Sequence, residues 1–251
     1  MASSIPILTF HAIENDASVI SFSPQLFRRV VADLHEHGFR TWQLAQVADH
    51  LSSDRPVPNN TFVATFDDGY ESVFREALPV LREYGMCATV FLTVGATEPV
   101  GADSRLPSLE GRSMLSWREI REMSEAGFTF GAHTLTHPDL TRLSPERMKI
   151  EICRSKAMIE NKLGSAVLSF AYPYGRYDPR SREIVAQQFA CACSDKLGLS
   201  GNKSDRYALE RVDTYYLRTD RLFSLMRTSW FEWYVTMRSL PRRLRRALAT
   251  S

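Results

Sequence analysis

The sequence predicts an α/β fold, a distorted (β/α) barrel of about seven parallel strands. Three observations carry this. Apolar runs of strand length alternate with amphipathic runs of helix length from one end to the other, the pattern of β–α–β units on a parallel sheet. Most of the helical runs bring their own start or stop residues. The 251 residues suffice for one large domain with a buried core.

The elements follow in order. Ile5 to Phe10 is apolar and reads as a strand. Ser23-Pro24 offers an N-cap followed by proline at the first helical position. Leu26, Phe27, Val30, Val31 and Leu34 then recur at helical spacing until Gly38. A shorter amphipathic helix ends near His50. Phe62 to Phe66 is a strand, Val73 to Tyr84 a helix stopped by Gly85, and Cys87 to Val94 a strand. Gly95 to Ser113, rich in Gly, Pro and Ser, is the longest irregular stretch and is expected to rim a site. Ser116-Trp117-Arg118-Glu119 is a capping box for a helix ending at Gly127. Phe128 to Ala132 is a strand, Ser144-Pro145-Glu146 opens a long helix to Gly164, and Val167 to Tyr172 is a strand. Asp178-Pro179 caps another helix before strands at Phe189 to Cys193 and Glu210 to Tyr215. The expected division is a catalytic barrel over 1–229 and a basic helical extension over 230–251.

Composition bounds the function. With 44% hydrophobic residues, 24% charged residues and a net charge of +2, the chain has ordinary globular make-up and no global field for nucleic acid. Cys87, Cys153, Cys191 and Cys193 are too few for a disulfide framework. Cys191-Ala192-Cys193 reads as a strand with alternate cysteines. The N-terminus shows no charged region followed by an apolar core, and no run is long enough to span a bilayer, so a cytoplasmic location is expected. Trp230 to Leu248 mixes Trp233, Tyr234, Val235 and Leu240 with five arginines from Arg238 to Arg246. Such a segment can contact an anionic membrane or pack on the barrel with a solvated basic end; the packing reading is preferred. The sequence does not reveal the oligomeric state.

Three polar constellations fall at strand C-terminal ends, where barrels carry their chemistry. Asp67-Asp68, after Val63 to Phe66, places two like charges beside an apolar wall, a cost that a cation would offset; a helix N-cap pair is the plainer alternative. His133 and His137 stand four apart and can face one metal. One carboxylate with two histidines makes a facial set with open positions. Tyr172-Pro173-Tyr174-Gly175 makes a tight turn that can aim the Tyr174 N–H as an oxyanion donor, or serve as an ordinary strand-to-helix turn.

At these residues the chain resembles a known family. Thr65-Phe66-Asp67-Asp68-Gly69, His133-Thr134-x-x-His137 and Tyr172-Pro173-Tyr174-Gly175 are similar, in order and spacing, to the first three motifs of the polysaccharide deacetylases, the NodB-homology domains of carbohydrate esterase family 4. The resemblance implies a bound divalent metal, most often zinc, with nickel, cobalt or manganese as alternatives. It implies Asp67 as general base and Asp68, His133 and His137 as metal ligands. It implies hydrolysis of the N-acetyl group of an N-acetylated amino sugar. Tyr172, Pro173 and Arg211 are assigned to substrate contact. Two departures stand out: the family's third motif begins with an arginine that holds the base, where Ala171 stands here, and Arg211 occupies the place of the family's late histidine. The Asp/Trp element of the fourth motif is not evident between Asp178 and Leu209. His11, directly after the first strand, is the candidate replacement acid or a hydrogen-bonding neighbour; His35, His37 and His50 are expected in solvent. The alternatives are an amidohydrolase acting on a non-sugar amide and a silent carbohydrate-binding barrel.

Overall fold

Pro6 has no N–H to give a ladder, and it splits the first apolar run in two. Ser4–Ile5 pairs antiparallel with Ser200–Gly201, and the barrel begins only after the proline. In the computed structural model, which describes residues 4–53, 55, 57–96, 101 and 103–249 (242–249 by backbone alone), seven parallel strands form the barrel. They are β1 (Ile7–Phe10), β2 (Thr61–Phe66), β3 (Thr89–Leu92), β4 (Thr129–Ala132), β5 (Ser169–Ala171), β6 (Cys191–Leu197) and β7 (Leu209–Asp213). Each pairs with the next, and β7 closes on β1 with Val212 opposite Leu8. The short strand Arg40–Thr41 adds to the lower end of β2.

Successive strand residues point to opposite faces, and the core divides accordingly. Leu8, Phe62, Ala64, Phe66, Val90, Leu92, Phe130, Phe170, Ala192 and Val212 face outward to the helices. Ile7, Val63, Phe91, Ala171, Cys191, Cys193 and Leu209 face the barrel interior. Burial pushes the Cys193 thiol up to about 12, so it stays an inert apolar filler.

The helices are α1 (Pro24–Glu36), α2 (Leu44–Ser52), α3 (Leu78–Glu83), α4 (Trp117–Glu125), α5 (Pro145–Leu163), α6 (Pro179–Gln188) and α7 (Trp230–Ala249). The capping box at Ser116 and Glu119 forms, and Gly164 ends α5 in the left-handed conformation. The helix expected over Val73 to Tyr84 is interrupted: a wide π-type turn over Val73–Ala77 precedes α3, where Pro79 supplies no N–H. Leu44, Val47, Ala48 and Leu51 of α2 pack into the interior cluster and floor the barrel at its N-terminal end.

Candidate active site

The inward phase of the strands carries straight on into the site. Ile7 is followed by Thr9 and His11, Val63 by Thr65 and Asp67, Gly131 by His133, and Leu209 by Arg211 and Asp213. The lower members fill the barrel, and the upper ones line a cavity of about 350 Å³ at its C-terminal end. Asp68, Glu110, His137, Tyr172, Tyr174 and Asp195 complete its wall.

Asp67 and Arg211 form a buried bidentate pair, Nη1 to Oδ1 and Nη2 to Oδ2 both at 2.7 Å. Arg211 also donates from Nε to Ser194 O at 3.2 Å and from Nη1 to Thr65 Oγ1 at 3.3 Å, and it lies over the Phe91 ring. Burial would raise the Asp67 carboxyl, but the Arg211 guanidinium outweighs it and holds the carboxyl well below the usual carboxylate range. Arg211 lines the cavity, and both its terminal nitrogens bond Asp67, a partner that the sequence reading did not assign to it. The arginine missing at Ala171 is supplied from β7 instead. Its signal in the sequence was its phase, two residues after buried Leu209 on an inward-facing column.

Asp68 lies across the cavity from that pair. Its Oδ1 is buried without a hydrogen-bond partner, yet stands 3.5 Å from Nε2 of both His133 and His137. His133 Nδ1 donates to the Ala171 carbonyl at 2.7 Å. A carbonyl can only accept, so Nδ1 carries a hydrogen, and Nε2 is the nitrogen turned to Asp68 as a candidate ligand atom. Burial, and then the neighbouring His133, push the His137 imidazole down to about 4, so at neutral pH it has a free lone pair. Two imidazole nitrogens and an orphaned carboxylate oxygen thus converge on one another. Such a hole suits a cation, and the three ligand atoms lie within 4.8 Å of one another. The donor set of two nitrogens and one oxygen fits zinc, nickel, cobalt or manganese.

The loop that carries the histidines is braced by a residue the sequence reading missed. Glu151 of α5 is fully buried. Its Oε2 accepts from Leu135 N and Thr136 N, both at 2.9 Å, and its Oε1 accepts from Thr136 Oγ1 and Arg147. This fixes a strained backbone. Of the six non-glycine residues with left-handed φ among the described residues, Asp68, Thr134 and His137 belong to the side of the site where the histidines face Asp68, and Glu110 and Tyr174 line its rim.

His11 reaches the cavity as expected, with Nε2 4.0 Å from Asp67 Oδ2. Tyr174 is more than half exposed, and its ring stands edge-on to His137, 4.7 Å between centroids. Tyr172 lines the cavity, whereas Pro173, expected beside it as a substrate contact, does not. The Tyr172 hydroxyl donates to Tyr207 O at 3.0 Å and its ring stacks on Tyr177, so it serves as cavity wall. Pro173 is buried outside the lining residues. Gly175 has φ 64°, and a Cβ there would fall 2.0 Å from Asp195 Cβ, so only glycine lets this turn approach β6 so closely. Of the stretch Gly95 to Ser113, residues 97–100 and 102 lie outside the described residues. The rest sits at the cavity end: Leu106 packs beside Gly69, and Glu110 lines the cavity.

A family model for polysaccharide deacetylases matches residues 54–189. YxkH of Bacillus subtilis (strain 168), which carries the same family name, is 27% identical over 209 residues, 83% of this chain and 70% of that one. The poly-β-1,6-N-acetyl-D-glucosamine N-deacetylase of Escherichia coli (strain K12) is 25% identical over 126 residues, 47% of this chain and only 19% of that protein's length. The solved structure of the Streptococcus pyogenes deacetylase PplD, in complex with acetate, matches with a TM-score of 0.74 at 26% identity, over 84% of this chain and 92% of that one.

Proposed function

The chain belongs to the polysaccharide deacetylase family, and from that premise we propose that it is a metal-dependent hydrolase removing the N-acetyl group from an N-acetylated amino sugar. The observation that carries the reading is the pairing, across one cavity, of an arginine-held carboxylate with an orphaned Asp68 oxygen facing two histidines. Asp68, His133 and His137 would hold the ion, zinc by preference. The ion, when bound, supplies Lewis acidity that polarises the amide carbonyl and raises the acidity of water beside it.

The chain's own residues do the rest. Asp67 is ionised and fixed by Arg211, so it accepts the proton as the water oxygen bonds to the acetyl carbon. A carboxylate so weakly basic can act only on an acidified water, which ties its role to the neighbouring metal ligands. The backbone N–H of Tyr174 is assigned to the developing oxyanion. His11 is assigned to the nitrogen that departs as the C–N bond breaks. Acetate and a free amine result.

The test is incubation of zinc-loaded protein with N-acetylglucosamine oligomers and, separately, with N-formyl and cyclic ureide compounds. Released acetate with an equal yield of amine is expected. Turnover of the non-sugar amides alone would replace this reading, as would tight sugar binding without product.

A further inference from the structure

Helix α7 has two apolar faces, and only one is covered. Phe231, Val235 and Ser239 are buried against the body of the protein. Tyr234 Oη donates to Tyr216 O at 2.6 Å, and Arg238 lies over the rings of Tyr216 and Tyr234. On the other side Trp230 and Trp233 are 63% and 57% exposed, and Met237 and Leu240 are also exposed. The two indoles stand edge to face, 6.0 Å apart. Positions 230, 233, 237 and 240 fall at three- and four-residue steps, one stripe along a helix. An exposed stripe led by two tryptophans is covered by nothing among the described residues.

The charge of this part of the sequence says what covers the stripe. From Trp233 to Ser251 the sequence has five arginines and no acid. The whole chain is +2 and this segment +5, so the remaining residues together are −3. A second copy of the helix would bring like charge against like charge along its length. Nucleic acid would engage the arginines but not need the tryptophan stripe. An anionic lipid surface uses both: indoles settle at the headgroup level, the apolar stripe sinks into the boundary, and arginines meet acidic headgroups. We propose that α7 docks its Trp230–Trp233–Met237–Leu240 face on an anionic lipid bilayer. The helix packs against β6 and the Thr214–Leu217 turn that follows β7. Docking therefore holds the cavity end of the barrel close to the membrane. The inference is independent of the substrate.

The experiment uses the full chain with vesicles of phosphatidylcholine, with and without phosphatidylglycerol. The protein is expected to float with the phosphatidylglycerol vesicles only, to release as salt is raised, and to shift its tryptophan emission to the blue on binding. Trp230→Ser with Trp233→Ser should abolish flotation while thermal melting and turnover stay unchanged. Each of Arg238, Arg242 and Arg246 replaced by Gln should weaken partitioning about five-fold. Three results would overturn the proposal: no flotation, equal flotation with neutral vesicles, or full flotation of the tryptophan double variant. Light scattering that finds a dimer dissolved by that double variant would overturn it too, in favour of self-association.

Discussion

Asp67 and Arg211 are mutually dependent, and substitutions at either should separate their roles. Removing one partner of a buried ion pair costs about 3–5 kcal/mol, because the other charge is left uncompensated. Arg211→Ala should lose stability on that scale in urea unfolding. It should also move the acid limb of the pH–rate profile upward, since burial alone raises the Asp67 carboxyl. In the unaltered protein the depressed carboxyl contributes stability above about pH 3.9, lost as pH falls towards its folded value. A profile unchanged in Arg211→Ala would detach the arginine from the base. Asp67→Asn should bind zinc normally by calorimetry and lose turnover; near-normal turnover would end its role as base. His11→Ala should lose about 10²–10⁴-fold in rate with metal affinity intact; an unchanged rate would free His11 of the acid's role. At this scale Asp67, Asp68, His133 and His137 were legible because each pair is local in sequence. The pairing of Arg211 was not legible because its partner lies 144 residues away, nor was that of Tyr172, because nothing in the sequence announces Tyr207 as its acceptor.

Helix α5 shows how an element serves the site from outside it. Its ends were legible in Ser144 and Gly164. Its functional residue was not, since an acid on a helix ordinarily faces water. Yet Glu151 falls in phase with buried Met148, Ile152, Ser155 and Ile159, and that misplaced polarity was the available clue. Glu151→Ala would strand two backbone N–H groups and relax the strained Thr134 and His137. Zinc affinity should fall about 10–100-fold, the usual cost of losing a residue that orients ligands. Calorimetry showing unaltered affinity would make Glu151 a purely structural brace. The π-type turn before α3 escaped the periodicity because Val73 and Ala77 keep helical spacing while the hydrogen bonding around Pro79 does not.

For the molecule as a whole, strand–helix alternation made the barrel legible before any contact was known. The strand count already pointed to closure; what was not legible was the pairing that achieves it, because β7 returns to β1 across the whole chain and Thr214 Oγ1 donates to Thr9 O over 205 residues. The alternation within strands divided the barrel into a packed lower interior and a polar upper one, so a metal held as proposed would be tied to stability. Zinc at a hundred times its dissociation constant should add about 2.7 kcal/mol to folding, visible as a higher melting temperature that a chelator reverses. No shift on zinc addition would argue against a site built in the native state. The floor laid by α2 has a further meaning. A vessel sealed below has one door, so acetate and amine must depart by the route the substrate took. On the proposed reading, a glycan substrate would not be threaded through such a barrel but laid across its mouth. Acetate should therefore compete with the incoming N-acetyl group for the same berth, and inhibition by acetate should be relieved by raising the substrate concentration.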